Sequence, residues 1–155
     1  MATTSRQLVL DNIDTVLKTI TIAGGYKTTI DTVERTRGAK TWEEVPSSDR
    51  PYIGIVPGKE SCPIDGGHFP FGRMRVTFHI DLICYVTGST AATRSNAISD
   101  FQDDIISVLN KDPTRDKNAM STYVVDWESD EGSTEDDGYL LVGVDIIYNR
   151  KTSST

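Results

Sequence analysis

The fold of this chain is decided by residues 73–86, which read RMRVTFHIDLICYV. Every second side chain from Met74 to Val86 is apolar, and most of those between them are polar. This alternation is typical of a strand with one face on a core and the other toward solvent or a partner. We predict a central strand about 40 Å long, at roughly 3.3 Å per residue. Its second face carries side chains too mixed for a catalytic cluster and suited to solvent or a subunit contact: Arg75, His79, Asp81 and Tyr85.

The rest of the chain predicts two helices and four further strands. Apolar residues recur at steps of three and four from Val9 to Ile20 and from Ala97 to Leu109, as in helices with one buried face. Alternation or a high content of Thr, Val and Ile predicts strands at 26–35, 52–56, 121–128 and 139–149. The order α-β-β-β-α-β-β favours an α+β fold, a mainly antiparallel mixed sheet with both helices packed on one face.

The length of 155 residues is typical of one domain. We assign residues 1–150 to a single α/β domain and residues 151–155 to a frayed polar tail. The first residues lack the basic and then apolar build of a signal peptide, which predicts a protein made and kept in a cytoplasm. In that compartment the two cysteines, Cys62 and Cys84, are expected to be reduced thiols.

The charge of the chain is concentrated in one segment. The net charge is −7, and residues 126–137 hold seven acids and no base. Because the remaining 16 acids balance 16 bases, no broad basic face is expected for gripping nucleic-acid phosphates. Glycines at 132 and 138 favour a hairpin with a long flexible tip. This tip is either a solvated loop that protects the hairpin edge from aggregation or an electrostatic surface used in assembly.

The sequence predicts no catalytic, cofactor or metal site, and we expect the protein not to be an enzyme. Neither His68 nor His79 lies in a recognisable nucleophile–base arrangement. The glycine pairs at 24–25 and 66–67 lack the context of a phosphate-binding loop. The acids at 126, 128 and 130 have the spacing of calcium ligands, but the glycine required at the sixth position is Glu131.

Three aromatic residues lie outside the periodic segments and are candidates for a subunit or partner interface. Trp42 belongs to an irregular stretch, and Phe69 and Phe71 flank a proline in the long loop at 59–72. Apolar side chains on such a loop either fold back onto their own domain or dock into a neighbouring protein. Both alternatives remain open from the sequence.

Several segments resemble the tail terminator proteins of tailed bacteriophages. The resemblance runs through RQLVLDNI at 6–13, GGYKTT at 24–29 and VER at 33–35. It continues with PYIGI at 51–55, the long strand, DFQDDI at 100–105 and a final hairpin that ends in a tyrosine-rich strand. It covers nearly the whole chain and is one of pattern and order.

The resemblance implies a structural subunit of the virion tail. Tail terminators form a ring, usually a hexamer, on the head-proximal end of the tail tube, where they stop tube polymerisation and dock the neck. The implied partners are other copies of the chain, the tube protein, a neck or connector protein, a sheath subunit if the tail contracts, and DNA passing through the lumen. Assembly would take place in the host cytoplasm, with no membrane partner. If the hairpin lines the lumen, its acids would repel DNA: Asp130, Glu131, Glu135, Asp136 and Asp137.

Two other functions remain open from the sequence. A head–tail joining or neck protein shares the size, the ring habit and the partners of a terminator. A small ligand-binding or enzymatic α/β domain is a different class, which a pocket with convergent polar groups would support.

Overall fold

A computed structural model describes residues 4–36, 38–62, 68–69, 73–130 and 137–151. Within these ranges the chain forms two α-helices, α1 (Ser5–Leu17) and α2 (Ala91–Lys111), and two short 3-10 helices at Trp42–Glu44 and Ser47–Asp49. The strands of the same ranges are β1 (Thr32–Arg35), β2 (Tyr52–Ser61), β3 (His68–Phe69), β4 (Arg73–Thr87), β5 (Ser121–Ser129) and β6 (Asp137–Lys151).

The main strands form one mixed sheet in the order β1-β2-β4-β6-β5, and the two-residue β3 pairs with β4 beside this row. β1 runs parallel to β2, and every other neighbouring pair is antiparallel. The predicted α+β class and mainly antiparallel mixed sheet are therefore confirmed. The predicted order of elements holds for the two helices and the five longer strands, and β3 is an addition to it.

The predicted central strand is β4, which pairs on both sides. Its partner β6 matches it over the full length, from Arg73 opposite Lys151 to Thr87 opposite Asp137. Residue 151, predicted to begin a frayed tail, thus ends a strand, because β4 extends far enough to pair with it. The other residues of that tail lie outside the described ranges.

Both helices pack on the same face of the sheet, as predicted. Their buried side chains join the alternate residues of β4 and β6 in one apolar cluster, which includes Val9, Ile13, Leu17, Ile98, Phe101, Ile105, Phe78, Ile80, Leu82, Val142, Val144 and Ile146. Each fully buried side chain of this size stabilises the fold by about 1.5–3 kcal/mol through the hydrophobic effect. We call this side of the sheet the helix face and the other side the open face.

The strand predicted at 26–35 is shorter than expected and begins only at Thr32. The backbone N–H groups of Lys27 and Thr28 donate to the buried carboxylate of Asp104 in α2, at 2.8–3.1 Å. Because these N–H groups are satisfied by a side chain, the segment ties the two helices together and does not form a ladder.

The second strand is longer than its predicted end at Val56. β2 continues through Pro57 and Gly58 to Ser61, with an irregular register between Pro57 and Glu60. A bulge of this kind lets a strand continue past a proline that cannot donate to the ladder. The predicted loop at 59–72 therefore contains the end of β2 and the strand β3, and its residues 63–67 and 70–72 lie outside the described ranges.

Candidate functional site

The aromatic residues predicted to form an interface are only partly described. The backbone of Trp42 begins a 3-10 helix on the way from β1 to β2, and the backbone of Phe69 pairs with that of Arg73. Phe71 lies outside the described residues. The predicted interface role of these three residues therefore stays a prediction.

The acidic hairpin is described only at its base. Glu131, Glu135 and Asp136 lie outside the described ranges, and the backbone of Asp137 begins β6 opposite Thr87. The carboxylate of Asp130 accepts the backbone N–H of Tyr139 at 3.2 Å, and the N–H of Asp130 donates to the carbonyl of Tyr139 at 3.3 Å. Asp130 thus closes the two strands of the hairpin on each other. The predicted position of the hairpin in a lumen stays a prediction.

An exposed aromatic surface lies instead on β5, the last strand of the sheet. Tyr123 is 53% exposed, Val125 is 47% exposed and Trp127 is 54% exposed. No strand of the described residues pairs with the outer side of β5. Large apolar side chains beside an unpaired strand edge are typical of a site where another chain binds. We call these three residues and the backbone between them the β5 edge.

A bulge determines which way the residues of the β5 edge point. Val124 lies opposite Val144 and Asp126 opposite Gly143, so that Val125 is the extra residue between them. The bulge shifts the alternation, and Tyr123 lies opposite Asp145 on the open face whereas Trp127 lies opposite Val142 on the helix face. The two aromatic side chains of the β5 edge therefore lie on opposite sides of the sheet.

Acidic side chains cover the open face next to this edge. Asp126 and Glu128 lie opposite Gly143 and Leu141 of β6. A Cβ atom added at Gly143 would stand 2.1 Å from a carboxylate oxygen of Asp126, so that side chain lies directly over the glycine. Gly143 thus makes room for an acid between β5 and the middle of the sheet.

His79 links two carboxylates in the middle of the open face. Its Nδ1 lies 2.6 Å from Asp145 of β6, and its Nε2 lies 3.0 Å from Asp81, which is in β4 like His79 itself. Partial burial lowers the pKa of His79, but the hydrogen bonds to Asp145 and Asp81 outweigh it and raise the pKa above its ordinary value. Protonated His79 donates to both acids, which makes the group a charged bridge between β4 and β6. Both ring nitrogens are engaged in this bridge, so the arrangement is structural and offers no poised general base.

The remainder of the open face is covered by residues 40–50, which we call the covering segment. Val45 packs with Tyr52, Ile83 and Tyr85 in a second apolar cluster. The Tyr85 hydroxyl donates to the carbonyl of Lys40 at 2.5 Å. The prediction that Tyr85 faces solvent or another subunit is therefore wrong, because its own chain folds over it.

Arg50 and Tyr52 strengthen this second cluster. The guanidinium of Arg50 donates to the carbonyl of Val45 at 2.7 Å and lies 5.8 Å from the centroid of the Tyr85 ring. The Tyr52 hydroxyl donates to Glu34 at 2.6 Å, and burial and this hydrogen bond raise the pKa of Tyr52. The polar groups are thus paired around an apolar centre, which is the arrangement of a structural minicore.

One surface depression is lined by polar groups that pair with each other. A depression of about 360 Å³ between α2 and the segment after α1 has Tyr26, Lys27, Asp103 and Lys111 among its lining residues. Its polar groups already bind each other, with Lys27 2.8 Å from Asp103 and Lys111 2.6 Å from the Tyr26 hydroxyl. Among the described residues, no group of three or more His, Cys, Asp or Glu could hold a metal ion. Cys84 is buried, which raises the pKa of its thiol and makes it a poor nucleophile.

In the described part of the chain, no helix has the length and apolar character needed to cross a membrane. No protein-family model matches the sequence, and no curated protein matches it.

Proposed function

We propose that this protein is a structural subunit of a ring on the head-proximal end of a phage tail tube, a tail terminator. The observation that carries the proposal is the β5 edge, an unpaired strand that exposes Tyr123, Val125 and Trp127. The resemblance of the chain to tail terminators supplies the identity of the assembly. The structure contributes a surface suited to binding another protein chain.

The β5 edge is unusual for a protein that works alone. Soluble proteins generally protect their edge strands by short length, proline, charges or bulges, because an open edge invites pairing with other chains. β5 has a bulge and two acids, Asp126 and Glu128, but it still exposes large apolar side chains. Tyrosine and tryptophan are enriched in the cores of protein interfaces. Two such side chains, exposed together with a valine on a nine-residue strand, favour a subunit contact over a free surface.

The charge distribution is compatible with a ring around DNA. Of the seven acids at 126–137, Asp126 and Glu128 lie in β5, Asp130 follows it and Asp137 begins β6, and the other three lie outside the described residues. Acids that face a lumen would repel the phosphates of DNA and let it slide without being held. The lumen position of the hairpin is part of the proposal and is tested with it.

Tube assembly in vitro tests the proposed function. The tube protein encoded in the same phage genome would be polymerised with and without this protein, and tube lengths would be measured by negative-stain microscopy. A terminator shortens the tubes and leaves a ring at one end. Trp127→Lys should abolish this effect, whereas Ile22→Lys, which places the same charge at an exposed apolar position between α1 and β1, should leave it intact.

Two results would argue against a terminator. Tubes that grow to the same lengths in the presence of the protein would contradict the proposal. A protein that leaves growth unchanged but binds to the ends of tubes already capped by another ring would instead identify a neck protein.

A further inference from the structure

The outer side of β5 carries a backbone ladder with no partner strand among the described residues. The N–H of Asp130 donates inward to the carbonyl of Tyr139. Because inward and outward groups alternate along an antiparallel pair, the N–H and C=O of Trp127 point away from β6. The register is regular after the bulge at Val125. Residues 126–128 therefore form a short ladder that can accept one more strand.

The side chains of this ladder alternate between acid and tryptophan. Asp126 and Glu128 lie on the open face, opposite Gly143 and Leu141, whereas Trp127 lies on the helix face between them. The acids and the tryptophan are all exposed. A strand added beside β5 would place its own alternate side chains next to these, two on the open face and one on the helix face.

The two acids of the ladder have no cation beside them. Within the described ranges, Asp126 and Glu128 form no ion pair, and the segment from 126 to 137 contains no base. Their charge attracts a positive group and argues against nucleic-acid phosphates, an anionic membrane surface or a second β5, whose acids would lie against these. Acids on an edge strand also protect it from aggregation. Protection alone does not account for the exposed Trp127 between them.

The geometry specifies the side chains of a strand that would fit. Next to Asp126 and Glu128 it needs lysine or arginine, which form cross-strand ion pairs on the open face. Next to Trp127 it needs an apolar or aromatic residue on the helix face. The resulting pattern is basic, apolar, basic. It reads the same in both directions, so that it fits a parallel or an antiparallel strand.

We propose that the β5 edge binds an extended segment of another protein with this basic–apolar–basic pattern, which continues the sheet as a further strand. The main-chain ladder supplies affinity, and the two acids and the tryptophan select the segment. The role of this contact in assembly rests on the proposed function, whereas the binding of the segment rests only on the β5 edge. The contact requires nothing of how copies of this chain associate with each other.

Fluorescence anisotropy with a synthetic peptide tests this binding. The probe is a labelled peptide of about nine residues in which lysine alternates with valine, long enough for one strand. Its control contains the same lysines and valines in two separate blocks, and so has the same charge without the pattern. The alternating peptide should bind about tenfold more tightly, because only it places its lysines on one face and its valines on the other.

Two variants of the protein identify the surface that binds. Trp127→Ala should weaken binding about 30-fold, the effect of losing a central interface residue. Asp126→Asn together with Glu128→Gln should weaken it about tenfold at low salt and remove most of its salt dependence. The matched control, Asp31→Asn together with Glu43→Gln, removes the same charge from two exposed positions outside β5 and should bind like the natural chain. Circular dichroism checks the folding of each variant, and the acid variant carries the test if Trp127→Ala does not fold.

Hydrogen exchange followed by NMR distinguishes an added strand from a loose attraction between charges. When the alternating peptide saturates the protein, the outward amide of Trp127 should exchange about tenfold more slowly, because it then donates to the peptide. The amide of Glu128 already faces β6 and should change much less.

Four results would overturn the docking of such a segment. They are equal affinities for the alternating and the blocked peptide, unchanged affinity in either surface variant, and a Trp127 amide whose exchange does not slow. The fourth is self-association of the natural chain that Trp127→Ala abolishes and the peptide does not inhibit, which identifies a second copy as the occupant.

The proposed function fails separately from this docking. A chain that binds the alternating peptide but leaves tube growth unchanged contradicts the terminator. A chain that caps tubes but does not bind the peptide contradicts only the docking.

Discussion

The two faces of β4 show the same alternation in the sequence but are covered in different ways. On the helix face, alternate residues from Val76 to Val86 are buried without interruption under the two helices. On the open face, Ile83 and Tyr85 are buried under the covering segment, whereas His79 and Asp81 remain partly exposed in a charged bridge. Alternation thus identifies the side chains that share a face, but the segment that covers a face comes from elsewhere in the chain.

The largest expected effect tests whether the covering segment on the open face is as rigid as the two helices on the helix face. Leu82 and Ile83 are neighbours on opposite faces, with 0% and 5% exposure. Leu82→Ala should lower the free energy of unfolding by about 3–5 kcal/mol, because two helices and a sheet cannot collapse into the cavity. Ile83→Ala should cost about 2–3 kcal/mol, since the covering segment can settle toward the space.

Urea denaturation of both variants measures this difference, with equal m-values as the check that the unfolded state is unchanged. Equal losses of stability at the two positions would contradict the expected difference and would show that the covering segment is as rigid as the helices.

A smaller effect is expected from the bond that holds the covering segment to the sheet. Tyr85→Phe keeps the ring and removes only the hydroxyl that donates to the Lys40 carbonyl. The free energy of unfolding should fall by about 1 kcal/mol, the usual worth of a buried hydrogen bond. Tyr123→Phe, at an exposed hydroxyl, is the control and should change it by less than about 0.5 kcal/mol. Equal effects in the two variants would mean that the bond at Tyr85 does not hold the segment.

The smallest effect is the pH dependence of the His79 bridge. The raised pKa of His79 means that protonation is favoured in the folded state. Its contribution is therefore complete below the unfolded pKa of about 6.5 and disappears as the pH rises through the higher folded pKa. The bridge is partly exposed, so the contribution should be below about 1 kcal/mol.

An NMR titration that follows the ring C–H shift of His79 measures its pKa in the folded protein. Urea denaturation at pH 6 and pH 9 measures the change in stability. Asp145→Asn should lower the pKa of His79 and flatten the pH dependence of stability. A titration at the ordinary histidine pKa in the natural protein would contradict the bridge.

The candidate site could be predicted from the sequence only in part. The acids of the segment at 126–137 are evident from composition, but the exposed aromatic residues beside them were missed. In the sequence, Tyr123, Val125 and Trp127 lie two residues apart, which is the spacing of one strand face. The bulge at Val125 and the position of β5 at the end of the sheet leave them exposed instead. Neither feature has a local sequence signal, because both depend on pairing with β6.

The set of elements and their apolar faces can be assigned from local patterns in the sequence. Alternation in β4 and β6 and the three-to-four spacing in both helices are local, since each follows from the geometry of a single backbone. The positions of β5 and β1 as the open edges of the sheet follow only from the tertiary structure. It also decided that Tyr85 lies beneath its own chain. Those outcomes depend on contacts between residues distant in sequence, whose free energies no single segment contains.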